Sequence, residues 1–363
     1  MELSAEASSG SWIEALPKTD LHVHLDGSLR PETLLELAQQ QGVVLGDAAA
    51  PVRTLADLER VLAPGRVCES LVDYLRAFDF TLRVLQQPEA LARVAYELAE
   101  DTWREGGIYL EVRFAPFLHT QAELSEDAVV EAVLAGLARA ELDFAPLRAR
   151  LIICGLRHLD PEVTLRMVRL ALRYREAGVV AIDLAGPEAG FGPELHHEAL
   201  ALARTERLAI TLHAGEAAGP TSIRAALAEG ASRLGHGCRL REDEALLAEV
   251  VAAKIPLECC LLSNVQTRAV TALADHPILD YQRQGVVVTL NTDNRFVTKT
   301  TLTAELERLV GTLRPSFEEI TTLLRAGLQA AFLSDIHQRA ELEAVFESRV
   351  HLARNLYEAQ LRA

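Results

Sequence analysis

Eight short apolar runs, rich in β-branched and aliphatic residues, alternate along this chain with longer amphipathic stretches of helical period. The runs cover residues 19–24, 108–114, 151–156, 179–184, 209–213, 233–235, 257–260 and 286–291. Most read as unbroken aliphatic segments, the pattern of strands buried on both faces. Between them lie Ala- and Leu-rich stretches at 125–140, 161–177, 193–205, 221–229 and 242–253. Eight such alternations favour a (β/α)₈ barrel, an α/β fold of the TIM-barrel kind, over a doubly wound sheet. At 363 residues the chain is long for one domain, but barrels commonly run past about 200 residues as one unit. A single domain over 1–363 is predicted.

One interval breaks the beat. Roughly eighty residues separate the first two strands, where a simple barrel needs far fewer. A helical insertion over about 30–105 is predicted, placed where excursions usually build lids and pockets. Within it Leu71, Tyr74, Leu75 and Phe78 fall at i, i+3, i+4 and i+7, one apolar stripe of a helix. Such a stripe serves either core packing or an apolar wall over a substrate.

A formal charge of −16 argues against nucleic acid, which requires clustered Lys and Arg to neutralise phosphates. The acidic balance suits a small, weakly charged substrate. No apolar run approaches the roughly 20 residues of a membrane span, and no signal peptide is evident at the start. Five cysteines, an odd number, give no disulfide framework, and adjacent Cys259 and Cys260 lack C-x-x-C spacing. Together these predict a cytoplasmic protein with buried thiols. A homo-oligomer is left open.

The chemistry gathers at strand ends. His22 and His24, one residue apart, project to the same side of the first run. His213 and Glu216 stand in LHAGE, His236 in GHG and Asp293 in NTD, each where an apolar run breaks into glycine or polar residues. In a barrel these ends ring one mouth. His22, His24, His213 and Asp293 form a nitrogen-rich set completed by oxygen, suited to one Zn²⁺ per chain, with Fe²⁺ or Co²⁺ as surrogates. A water in the remaining position would have its pKa lowered to about 7. His236 is then expected to orient that water and accept its proton. Glu216, past a glycine, approaches without ligating, and its protonated carboxyl suits donation to a heteroaromatic ring nitrogen. His119, His158, His276, His337, His351, His196 and His197 read as ordinary core or surface residues.

These stretches resemble the adenosine deaminase family, within the metal-dependent amidohydrolase superfamily. The resemblance is carried by LPKTDLHVHLDGSLRPET from Leu16, YLEVRFAP from Tyr109 and DLAGPEAGFGPELH from Asp183. TLHAGE from Thr211, LGHG from Leu234, LSNVQT from Leu262 and LNTDN from Leu290 continue it in order. It implies a barrel with one catalytic zinc on His22, His24, His213 and Asp293. It also implies that Glu216 protonates purine N1 and that His236 assists the attacking water. By the same resemblance Gly186 meets purine N3 through its backbone and Asp26 binds a ribose hydroxyl. Leu71, Tyr74, Leu75 and Phe78 match a hydrophobic gate. The implied partner is a small-molecule purine nucleoside.

Three departures stand out. Asn294 replaces the family's common second aspartate, and its amide donates toward purine N7 without needing a proton, provided the NH₂ faces that atom. Arg295 replaces a frequent proline, placing a cation near the rim, where pairing with an anionic 5′ extension is one outcome. Cys260–Asn264 reads CLLSN, where CPxSN is commoner. The expected activity is hydrolytic deamination of adenosine and 2′-deoxyadenosine. The alternatives are the same chemistry on adenine or 6-amino-6-deoxyfutalosine, a two-metal hydrolase of other bonds, and a catalytically silent zinc protein. A cytidine-type deaminase is disfavoured, because H-x-E with P-C-x-x-C is absent.

Overall fold

The computed structural model describes residues 11–47, 50–62 and 78–362. In chain order its strands are β1 (Lys18–His24), β2 (Leu45–Asp47), β3 (Ala50–Val52), β4 (Gly107–Phe114) and β5 (Arg148–Leu156). They continue with β6 (Val179–Ala185), β7 (Ala209–Ala214), β8 (Arg233–His236), β9 (Leu257–Cys259) and β10 (Val288–Leu290). All but β2 and β3 join one parallel sheet, ordered β1-β4-β5-β6-β7-β8-β9-β10. Each of the eight predicted runs lies on one of these strands, and the fold is the α/β TIM barrel.

The seam between β10 and β1 closes just beyond the end of β10. Asp293 bridges Val23 in parallel fashion, its N–H donating to His22 O at 2.8 Å while its carbonyl accepts His24 N–H at 2.7 Å. Lower down, Asn291 Oδ1 accepts Leu21 N–H at 2.9 Å. A side chain and a two-residue ladder thus replace a full strand pairing, and they fix Asp293 beside the two histidines of β1.

Strand sequence explains strand burial. All eight residues of β4 are buried, with Ile108, Leu110, Val112 and Phe114 alternating against Tyr109, Glu111 and Arg113. The second set points into the barrel, where the core is charged as well as apolar. Arg113 bonds Asp183 at 3.0 Å and Glu258 at 2.8 Å, while Arg233 bonds Glu258 at 2.7 Å and pairs closely with Glu111. Every carboxylate in this network meets a guanidinium, which buried charges require.

Helices cover the outside, and their ends follow local chemistry. The stretch predicted at 161–177 is helical only over Pro161–Arg173, followed by a 3₁₀ turn, Arg175–Ala177, that leads into Gly178 at φ +117°. That backbone conformation favours glycine and ends the helix. The predicted helix at 242–253 starts at Glu244, where the Asp243 side chain accepts Leu246 N–H at 3.0 Å. Among the described residues no helix is long and apolar enough to cross a membrane.

The interval after β1 is not wholly helical. Helices Pro31–Gln41, Leu55–Leu62, Phe78–Val84 and Pro88–Arg104 are joined by the antiparallel pair β2–β3. The segment Val43-Val44-Leu45-Gly46 and the pair Pro51-Val52 have β-branched, glycine and proline residues and no helical stripe. Leu71, Tyr74 and Leu75 lie outside the described residues. Phe78 opens the third of these helices.

Candidate active site

Polar side chains from three strands and from the turn after β10 gather at the barrel mouth. His22 and His24 lie on β1, His213 on β7 and His236 ends β8, with Asp293 at the seam. Candidate ligand atoms of His22, His24 and His213 lie within 4.8 Å of one another, as do those of His22, His236 and Asp293. The Nε2 atoms of His22 and His24 lie 3.5 and 3.4 Å from Asp293 Oδ1. The five residues singled out from separate stretches of sequence therefore meet at one point.

The backs of the rings fix their fronts. His22 Nδ1 lies 2.8 Å from Glu258 Oε2, and His213 Nδ1 lies 2.9 Å from Asp183 Oδ2. An ionised carboxylate only accepts, so each Nδ1 carries the hydrogen, and in the neutral ring each Nε2 presents a lone pair. Glu258 and Asp183 are ionised despite burial, because Arg113 beside both, Arg233 beside Glu258 and the imidazoles hold their pKa values below the usual range. His22 Nε2 is buried with no hydrogen-bond partner. Burial pushes the pKa of His24 down to about 3 and lowers that of His213, keeping both neutral. Burial alone would raise Asp293, but the hydrogen bond and charge of His22 outweigh it and keep it ionised. Neutral His24 and His213 beside an ionised carboxylate, with the buried and orphaned Nε2 of His22, fit a small divalent cation that would displace any proton on that ring.

Strain marks the same place. His236 and Asp293 have φ of +64° and +61°, a left-handed conformation uncommon for residues other than glycine. Gly186, at φ +93°, follows β6 on the cavity wall, where an added Cβ would sit 3.2 Å from His158 Nδ1.

A cavity of about 410 Å³ opens over this cluster. Its lining includes His24, His213, Asp293, Glu216, His236 and Asp26. Gly186, Asn294, Phe78 and Leu82 also line it, so of the apolar stripe Phe78 reaches the cavity. Glu216 is buried, and burial, with the charges of Asp293 and Glu188, pushes its pKa up to about 8. It is a carboxylic acid at neutral pH. Asp26 is 4% exposed and its Oδ1 has no partner, leaving a buried acceptor at the cavity wall.

Two departures take a different shape from expectation. Arg295 does not face this cavity. Its guanidinium bonds Glu105 at 3.0 and 3.2 Å and lines a separate groove with Ser28, Leu29 and Lys299. Its charge is taken up by Glu105, away from the cavity where a substrate extension would begin. Asn294 lines the cavity, but its Nδ2 donates to Asp293 Oδ1 at 2.7 Å. One amide hydrogen thus serves the candidate metal ligand, leaving a single hydrogen for a purine. Its Oδ1 crowds Gly27, where an added Cβ would come within 1.9 Å.

Several site residues escape a reading of sequence. Glu258 and Asp183 orient the metal-type histidines, yet they sit inside apolar runs with no local signal. Glu188, in DLAGPE, accepts four backbone amides of the Glu216 loop. His119, taken as ordinary, is buried with Nε2 3.6 Å from Asp26 Oδ2, and His158 lines the cavity. Only folding brings these to the mouth.

Fold and site define a barrel protein with a candidate metal centre at the C-terminal mouth of its strands. The chain belongs to the adenosine deaminase family, whose model matches residues 17–348. It is 42% identical over 321 residues to an adenosine deaminase of Clostridium acetobutylicum, covering 88% of this chain and 94% of that one. It is also 41% identical over 322 residues to a probable adenosine deaminase of Dictyostelium discoideum, covering 88% of this chain but only 41% of that longer protein. Among solved structures, an adenine deaminase of Arthrobacter aurescens matches with TM-score 0.84 and 26% identity, over 93% of this chain and 99% of that one. The N6-methyl-AMP deaminase of Arabidopsis thaliana matches with TM-score 0.80 and 31% identity, over 93% and 98%.

Proposed function

We infer that this chain hydrolyses adenosine and 2′-deoxyadenosine to the corresponding inosine and ammonia. The observation that carries the reading is one cavity in which the protonated Glu216, the His22–His24–His213–Asp293 cluster and Asp26, with its unpartnered Oδ1, converge. Zinc held by those three histidines and Asp293 would supply Lewis acidity and an acidified water.

The chain's own groups do the rest. Glu216, held as an acid by burial, donates its proton to purine N1, which makes C6 electrophilic. Asp26 accepts a ribose hydroxyl, and an unpaired buried acceptor rejects a ligand lacking that donor more strongly than a lost apolar contact would. The Gly186 backbone meets N3, and the free hydrogen of Asn294 Nδ2 meets N7. Phe78 and Leu82 cover the ring and exclude water.

A second reading keeps the chemistry and changes the substrate, in view of the adenine and N6-methyl-AMP deaminases that share the fold. Asp26 counts against a free base. No Lys or Arg is found among the described residues lining the cavity, which counts against a 5′-phosphate. Four described cysteines are free and buried, fitting a reducing compartment such as the cytoplasm. Turnover of adenosine, adenine, AMP and 6-amino-6-deoxyfutalosine by the zinc-loaded protein tests the assignment, and negligible adenosine turnover overturns it. One zinc per chain is expected, whereas two equivalents with esterase activity would support a two-metal hydrolase instead.

A further inference from the structure

Two buried residues with no part in the steps above sit directly behind His236. The His236 Nδ1 atom lies 3.0 Å from Asn264 Nδ2. The other end of that amide, Oδ1, accepts the Cys260 backbone N–H at 3.3 Å and lies 3.1 Å from His276 Nε2. His276 Nδ1 accepts the Ile278 backbone N–H at 3.2 Å. Asn264, His236 and His276 are at most 3% exposed, so bulk water does not compete for these positions.

The chain of bonds has a direction, because a backbone N–H can only donate. Ile278 makes His276 Nδ1 an acceptor, so neutral His276 carries its hydrogen on Nε2 and donates to Asn264 Oδ1. The Cys260 amide independently requires that atom of Asn264 to be the oxygen. The NH₂ end of Asn264 must then donate to His236 Nδ1. Neutral His236 is left with its hydrogen on Nε2, the nitrogen 3.7 Å from Glu216 Oε2. The Cys238 thiol, 4.0 Å from His276 Nε2, is too distant and too weak a partner to reverse the order.

We propose that Asn264 and His276 are positioning residues that fix His236 as its Nε2–H tautomer, so that His236 donates a hydrogen bond to the oxygen nucleophile and takes no proton from it. This departs from the sequence-based expectation that His236 accepts the proton. It rests on the deaminase reading for the identity of the nucleophile, but the tautomer follows from the hydrogen bonds alone. The proposal adds a hydrogen bond and no proton transfer.

Asn264→Asp is the informative variant. Its carboxylate still accepts the Cys260 and His276 hydrogens, and it reverses only the last bond by accepting a hydrogen from His236 Nδ1. Nitrogen-15 NMR of the histidine rings in the zinc-loaded protein should show Nε2–H for wild-type His236 and Nδ1–H for the variant. Where the hydrogen has moved, kcat should fall by roughly 10²–10⁴-fold, as when a catalytic imidazole is held in the wrong tautomer, with KM changed by less than about threefold. His276→Phe leaves the Cys260 bond on Asn264, so it should keep the Nε2–H tautomer and lose less than about tenfold in kcat. Zinc content and circular dichroism establish that both variants fold. Hydrogen retained on Nε2 in Asn264→Asp would overturn Asn264 as the residue that sets the tautomer. Nδ1–H in wild-type His236, or undiminished kcat after the hydrogen has moved, overturns the proposal. A wild type inactive on every aminopurine would instead defeat the deaminase reading and leave the tautomer measurement standing.

Discussion

The carboxylate of Glu188 accepts the backbone amide of Glu216 at 3.0 Å, and the same side chain accepts those of Gly215, Ala217 and Ala218 at 2.6–2.8 Å. Four donors on one buried carboxylate form an anion nest whose anion belongs to the protein itself. The loop carrying the candidate acid is therefore folded around Glu188. The negative charge of Glu188 also helps keep Glu216 protonated, after burial and Asp293.

Glu188→Gln should damage that loop, because an NH₂ group then faces backbone N–H donors. With the Gln oxygen in the place of Oε2, the Gly215 bond is lost and the other three lose their charge assistance, a cost of at least about 1.5–3 kcal/mol. A fall in kcat of about tenfold or more is expected, with faster hydrogen exchange at residues 215–218. Wild-type kinetics with unaltered exchange would leave the nest without consequence for the reaction.

Glu216→Gln should retain zinc and lose at least about 10² in turnover, since an amide supplies no acidic proton. With its pKa pushed up to about 8, Glu216 is the acid below that pH and an inert carboxylate above it. The wild-type kcat/KM should accordingly decline above about pH 8. The sign for stability is the same: the contribution is fully present below the unfolded carboxyl value of 4.5 and is lost as pH rises through about 8. A pH–rate profile flat to pH 10 or so would count against Glu216 as proton donor.

Asn294→Asp should make the site pH-sensitive in a new way. Asn294 Nδ2 donates to Asp293 Oδ1 at 2.7 Å, so the variant sets two carboxyls side by side unless the new one is protonated. Activity should persist at low pH and weaken as the new carboxyl ionises. Zinc affinity, read by chelator competition, should drop by about 10-fold at the upper end of the range. Gly27→Ala should disturb the same amide sterically, because its Cβ would meet Asn294 Oδ1. Unchanged zinc affinity in Asn294→Asp at high pH would mean that the Asn294–Asp293 bond does not support the ligand.

Metal removal should abolish turnover reversibly and lower thermal stability. Free zinc at about a thousand times its Kd stabilises a folded state by about 4 kcal/mol, because the assembled site exists only in that state. Chelation should therefore lower Tm by several degrees, and zinc should restore both Tm and activity. A chelator-treated protein with unaltered Tm and full turnover would remove the metal from the reading.

Much of this was legible before folding was considered. Strand periodicity gave eight barrel strands, because runs buried on both faces must be apolar throughout. The metal-type ligands stood out because His and Asp at the ends of such runs break the pattern. The insertion is legible as a helical interval, but β2 and β3, three residues each, are too short to show an alternation. Arg295 carried its charge in the sequence without a direction, and only the fold turns it toward Glu105.

The sequence by itself determined the barrel, the order of its strands and the residue types at its mouth, all of which follow from local periodicity and from where each run ends. Only the tertiary structure decided which atom of each residue faces the cavity. That choice depends on partners far away in sequence: Glu258 for His22, Asp183 for His213, Asn264 for His236 and Glu188 for the Glu216 loop. A side chain's donor or acceptor role is set by what it bonds behind the site, and those partners become neighbours only when the barrel closes.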